Sequence, residues 1–161
     1  MNNELAVRDA VVGDAPAMCE VLKRSISELC YLDHGNEPTI LSQWLRKKTP
    51  KLIAEWIEES ANSVLVAFEQ NTILAVGAVT DEGEITSNYV SPDARFRGVS
   101  KALLNALEER AKERGNERCK LTSTETARRF YHEQGYEETG PPDCKYGTSS
   151  GYPMSKPLIR V

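Results

Sequence analysis

Val90-Ser91-Pro92-Asp93-Ala94-Arg95-Phe96-Arg97-Gly98-Val99-Ser100-Lys101-Ala102-Leu103-Leu104 is a strand-like run that breaks at Pro92 and restarts as an amphipathic helix through a turn rich in Arg and Gly. A helix start carries unpaired backbone N–H groups and a partial positive charge, and a turn without bulky side chains lets phosphate oxygens reach those donors. Gly98 supplies the close approach, while Arg95, Arg97 and Lys101 add charge. The stretch reads as an anion cradle at the join of a strand and a helix.

Upstream of it the chain is β-rich. Residues 63–68 and 73–79 are apolar runs separated by a hairpin-length turn holding Asn71, and after Asp81-Glu82-Gly83 residues 84–90 complete an antiparallel meander. Downstream, Val99, Leu103, Leu107 and Ala111 line one face of a helix ending at Gly115. The short strand over 118–122 then follows a crossover helix, so it is expected to lie parallel to 84–90. A helix over 124–134, with Ala127, Phe130 and Tyr131 inward, and a last strand over 153–158 complete this half.

Towards the N-terminus, residues 5–8 alternate as a strand, and Asp14-Ala15-Pro16 opens a helix to about Cys30 with Asp14 as its cap. Thr49-Pro50 repeats the signal for a helix with a stripe of Leu52, Ile53, Trp56 and Ile57. Between them the chain is less regular, with a short helix expected over 41–46.

The 161 residues, 40% hydrophobic and 27% charged, suit one globular domain spanning 1–161. No apolar run approaches a membrane span and Met1-Asn2-Asn3-Glu4 lacks the character of a signal peptide, so a cytoplasmic protein is expected. Cys19, Cys30, Cys119 and Cys144 lie far apart without metal or disulfide spacing, so reduced thiols and no metal are expected. With 20 basic against 24 acidic residues the net charge of −4 disfavours nucleic acid as a partner.

Arg95-x-x-Gly98-x-Ser100, placed after Tyr89-Val90-Ser91-Pro92 and opening a Leu-rich helix, resembles the acetyl-CoA-binding motif of the GNAT superfamily of N-acetyltransferases. That family writes Gln or Arg, two residues, Gly, one residue, then Gly or Ala; Ser100 departs from the last position. A second stretch, Ser123-Thr124-Glu125-Thr126-Ala127-Arg128-Arg129-Phe130-Tyr131-His132-Glu133-Gln134-Gly135-Tyr136, is similar to the family's Ala-x-x-(aromatic or aliphatic)-Tyr motif followed by Gly and an aromatic, with Thr124 where many members carry Asn. The resemblance covers roughly residues 64–158. It implies an α/β fold whose mixed, mostly antiparallel sheet splays between strands 4 and 5 and is flanked by about four helices.

It also implies acetyl-CoA as cosubstrate, laid in that splay. Tyr89, Val90, Arg95, Phe96, Arg97, Gly98, Val99, Ser100, Lys101, Thr124, Ala127 and Phe130 are then the cofactor-binding positions, with the Val90 amide on the thioester carbonyl. Tyr131 takes the general acid's position; on the residues alone, without the flanking motif, it reads as a core tyrosine of an amphipathic helix. Glu84, which alternation puts on one strand face with Thr86, Asn88 and Val90, is either the base or a solvated glutamate. Ser25, Asp33, His34 and Asn88 are the candidate acceptor contacts, and Cys30 with His34 also permits a nucleophilic pair.

The leading expectation is acetyl transfer to a primary amine of a small molecule or peptide in a ternary complex; the alternative is a non-catalytic acyl-CoA-binding module. Glu28, Asp33, Glu82 and Glu84, if clustered, would favour a cationic acceptor. A homodimer through the edge offered by residues 151–158 is a further expectation.

Overall fold

The computed structural model describes residues 4–143 and 151–158; Cys144 lies outside them. In chain order the elements are strand Ala6–Asp9 (β1), helices Ala15–Leu29 (α1), Tyr31–His34 (α2), Pro38–Leu45 (α3) and Pro50–Glu58 (α4), strands Asn62–Glu69 (β2), Thr72–Thr80 (β3) and Glu84–Val90 (β4), helix Val99–Glu113 (α5), strand Arg118–Ser123 (β5), helix Arg128–Glu133 (α6), and strands Glu137–Glu138 (β6) and Tyr152–Pro157 (β7). There are thus six helices among the described residues where about four were expected, because 31–48 holds two.

Capping chemistry explains the helix starts. Thr49 Oγ1 accepts from Leu52 N at 3.2 Å ahead of Pro50, as its sequence predicts. Glu37 does the same for Ile40 N at 2.9 Å, so α3 begins at Pro38, three residues earlier than expected. Asp14 differs: its carboxylate pairs with Arg8 at 2.7 Å and accepts from Val11 N at 2.9 Å, so it ties β1 to α1 without capping the helix. The last helix is shorter than its pattern suggests, since residues 124–127 form a turn in which Thr124 Oγ1 accepts from Ala127 N at 3.2 Å.

The strands make one seven-stranded sheet in the order β1-β2-β3-β4-β5-β7-β6, antiparallel throughout except for β4 beside β5. β2 and β3 are apolar along most of their length because both faces are covered. Val64, Val66, Val76 and Ala78 pack with Met18 and Leu22 of α1 and Ile53 of α4, while Leu65, Ala67, Ala75 and Val79 pack with Leu103 and Leu107 of α5. At Gly77 a Cβ would lie 2.9 Å from Leu107 Cδ1, which is how closely α5 approaches β3.

Two details of the sheet bear on the sequence expectations. β7 is paired over six residues with β5, and on its other side β6 pairs with Met154 and Ser155 alone, so the edge expected over 151–158 is covered in part. The β3–β4 register shifts so that Ser87 faces Ala78 and Ile85 faces Val79, leaving Thr86 as a bulge. The bulge resets the alternation: Ile85 and Val90, an odd and an even residue, both pack on the α5 side, whereas Tyr89 packs on the α1 side.

Candidate functional site

β4 and β5 are paired only at Glu84–Lys120 and Ile85–Leu121, and beyond that point they part. Ser91 N donates to Leu74 O at 2.7 Å. Because successive amides of a strand point to opposite edges, the Val90 N–H is aimed away from β3, into the gap that β5 has left. The gap opens into a cavity of about 480 Å³ whose walls come from the end of β4, the turn into α5, the segment 124–134 and the end of α1.

The floor of the turn is built by local chemistry. Ser91 Oγ accepts from Asp93 N at 3.2 Å, and Asp93 is held to α1 by a two-pronged pair with Arg24 at 2.8 and 3.1 Å. Gly98, with φ at +76°, is the N-cap of α5 and offers no side-chain acceptor, so the first-turn donors are left to a ligand. A Cβ at Gly98 would meet nothing within 4 Å. Arg95, whose guanidinium lies over the Phe96 ring at 4.5 Å, and Lys101 line the same wall. This open helix start with two cations fits a diphosphate. Arg97, expected there too, is instead ion-paired with Glu69 at the end of β2 and is not among the lining residues.

Tyr131 lines the opposite wall with Ala127 and Phe130, 6% exposed and set edge-on against the Tyr136 ring at 5.6 Å. Burial pushes its phenol up to about 12, and a hydrogen bond from Asn88 acts in the other direction. The phenol is therefore neutral at physiological pH and able to donate. Asn88 Oδ1 is buried without a partner among the described residues. An unpartnered buried acceptor of this kind is expensive unless a ligand supplies a donor.

Of the expected positions, Ser25, Asn88, Tyr89, Val90, Arg95, Phe96, Gly98, Val99, Ser100, Lys101, Thr124, Ala127, Phe130 and Tyr131 line the cavity. Four do not. Besides Arg97, Glu84 is exposed at the far end of β4, six residues or about 20 Å from Val90. The bulge at Thr86 also puts it on the sheet face opposite Asn88. His34 is 2% exposed and has both ring nitrogens engaged, Nε2 with Ile26 O at 2.7 Å and Nδ1 accepting from Asn36 N at 3.0 Å. Asp33 is occupied by the turn before α6, accepting from Glu125 N at 2.7 Å and from Thr126 N and Oγ1 at 3.2 and 2.6 Å.

Cys30 does line the cavity, but burial raises its thiol to about 12, far from a nucleophilic thiolate, and the His34 ring nitrogens are committed elsewhere. The four carboxylates expected to form an acidic groove do not converge. Glu28 pairs with Arg24 at 2.9 Å, Asp33 holds the 124–127 turn, and Glu82 and Glu84 are exposed at the start of β4. Thr126, Leu29 and Gln134 are lining residues to which the sequence reading gave no role, although each lies within a few places of a residue that it did name. No cluster that could hold a metal ion occurs among the described residues, and no described helix is long and apolar enough to cross a membrane.

Comparison with known proteins supplies the family. None of the curated protein sequences compared with the chain matches it. Among solved structures, it is similar to the PaiA N-acetyltransferase of Thermoplasma acidophilum in complex with coenzyme A, with TM-score 0.81 at 20% identity over 96% of this chain and 99% of that one. A GCN5-related N-acetyltransferase of Rhodopseudomonas palustris aligns with TM-score 0.85 at 23% identity over 98% and 99% of the two chains. The yncA protein of Salmonella typhimurium, solved with its cofactor acetyl-CoA, aligns with TM-score 0.74 at 19% identity over 98% and 96%. These likenesses establish a shared fold. The acetyltransferase (GNAT) domain model matches residues 32–158, which include the splayed strands, the Gly98 turn and Tyr131, and the chain therefore belongs to the GNAT acetyltransferase family.

Proposed function

We propose that the chain moves an acetyl group from acetyl-CoA to a primary amine by direct attack in a ternary complex, residues 1–161 acting as one catalytic unit in the cytoplasm. The observation that carries this reading is the pair of groups on the cleft wall: the neutral Tyr131 phenol beside Asn88, whose buried Oδ1 awaits a donor. Acetyl-CoA supplies the thioester. Arg95, Lys101 and the first-turn amides of α5 hold its diphosphate, and Tyr89, Thr124, Ala127 and Phe130 flank the pantetheine arm.

The Val90 N–H is the donor to the thioester carbonyl, where charge grows as the amine attacks. Tyr131 gives its proton to the departing sulfur, so that carbon–nitrogen bond formation and carbon–sulfur cleavage end in an amide and a neutral thiol. Asn88 Oδ1 accepts from an N–H of the acceptor or the pantetheine arm. No carboxylate or imidazole is among the residues lining the cleft, so the acceptor enters as the free amine, and its surplus proton leaves to water, which returns a proton to the Tyr131 phenolate.

Two measurements test the reading. Thiol release from acetyl-CoA is followed with a panel of primary amines; cofactor binding by calorimetry with no thiol release from any amine points to the non-catalytic binding module. The dependence of kcat/KM on pH is expected to follow the pKa of the amine used and to be unaltered in Glu84→Gln. Loss of that dependence in the variant restores Glu84 as the base.

A further inference from the structure

A second cavity, of about 360 Å³, lies on the α1 side of the same strand. Its walls are apolar, from Leu22 of α1 and Leu52, Ile53 and Trp56 of α4, and its polar groups are Lys47, Lys48, Thr86 and Ser87. The bulge at Thr86 is what delivers the last two. With Ile85 and Val90 turned towards α5, two consecutive hydroxyls face this cavity.

The cavity has no charge balance of its own. No carboxylate is among its lining residues, and among the described residues neither Lys47 nor Lys48 has an ion-pair partner. Lys48 is half-buried, and desolvation followed by the charge of Lys47 lowers its pKa, which means that its ammonium is held at a cost. Two like charges beside an apolar wall, with hydroxyl donors opposite, are relieved by an anion.

Position connects this cavity to the transfer cleft. Ser87 is one residue from Asn88, and Leu22 is less than one helical turn from Ser25, both of which line the cleft. Tyr89 lines the cleft and packs on the α1 side, and Ser25 of α1 lines it too, so the cleft reaches the side of β4 on which the second cavity lies. From Ser87 to Val90 the strand covers three residues, a span of roughly 7–10 Å.

We infer that the Lys47–Lys48 cavity binds an anionic end of the acceptor, a carboxylate set about six bonds from the amine that is acetylated, so that the preferred substrates are ω-amino acids or short peptides with a free C-terminus. The assignment rests on the reading of the cleft as the acetyl-transfer site. It reverses the cationic acceptor that the acidic residues of the sequence suggested.

The test compares 6-aminohexanoate with hexylamine as acceptors. In the natural protein kcat/KM favours the carboxylate, and in Lys47→Gln/Lys48→Gln that preference falls about tenfold or more, the size expected for a charge-assisted contact. Lys47→Arg/Lys48→Arg retains most of it. A preference absent from the natural protein, or unchanged in the double Gln variant while acetyl-CoA still binds by calorimetry, overturns the proposal. Titration with 6-acetamidohexanoate and with N-hexylacetamide, without acetyl-CoA, separates this site from the cleft. If neither amine releases thiol, the cleft reading fails, and carboxylate-dependent heat lost in the double Gln variant still upholds the cavity as an anion site. Equal heats from the two compounds overturn it.

Discussion

Tyr131 is the residue whose environment and proposed task coincide. A phenol held at about 12 is still protonated at the pH where an alkylamine, with a pKa of about 10.4, becomes free, so the acid does not limit the rate at ordinary pH. Tyr131→Phe keeps the ring packing against Tyr136 and removes only the proton; kcat is expected to drop about a hundredfold with KM for acetyl-CoA nearly unchanged. Stopped assays of thiol release check this, and an equal kcat would remove the acid role. Gly98 offers the complementary case, where space is open and conformation is not. Its φ of +76° strains any side chain, so Gly98→Ala is expected to lose about 1 kcal/mol of stability and to weaken acetyl-CoA binding, read by thermal melting with and without the cofactor.

Between elements, the structure is held by pairings that local pattern does not carry. The Thr49-Pro50 start, the β2–β3 hairpin, the crossover through α5 and the Gly98 turn were legible because each depends on residues a few places apart. The Arg24–Asp93 pair and the grip of Asp33 on the turn before α6 were not, since each is a fit between segments far apart in the chain, and the bulge at Thr86 was not, because an extra residue in a strand shows only in its pairing with β3. That is why Glu84 reads as a neighbour of Asn88 by alternation and lies elsewhere in the fold. Asp33 binds three donors of the turn that leads into Tyr131, so Asp33→Ala leaves them unsatisfied and is expected to cost about 1–3 kcal/mol and to lower kcat more than it raises KM. A kcat equal to that of the natural protein in a variant with a lowered melting temperature would confine Asp33 to stability. At the α5–β3 contact, Gly77→Ala forces Leu107 aside and is expected to cost about 1–3 kcal/mol, visible as a lower urea midpoint with the slope unchanged.

Across the whole molecule, the α5-side core and the smaller cluster of Ile26, Cys30 and Trp44 bury weak acids in their neutral forms, and this ties stability to pH on the alkaline side. Burial raises the Cys30 thiol to about 12, the Cys119 thiol to about 11 and the Tyr131 phenol to about 12, and it also raises Tyr136, whose hydroxyl donates to Glu108 at 2.7 Å. Each folded pKa exceeds its unfolded value, so the folded chain holds these protons more tightly than the unfolded chain. Their stabilisation is complete below about 9 and is lost as pH rises through 9 for the thiols and 10 for the phenols towards the folded values. Lys48 opposes them, since its lowered pKa favours folding as pH rises, but it stands against four groups. Between its unfolded and folded pKa each buried acid contributes a slope of about 1.4 kcal/mol per pH unit. The urea midpoint is therefore expected to be flat from pH 7 to 8 and to fall steeply above 9, and Cys30→Ala is expected to make that fall shallower. A midpoint that holds constant to pH 10.5 would mean that these groups ionise without leaving the fold, and the upward shifts assigned to the buried thiols and phenols would be lost.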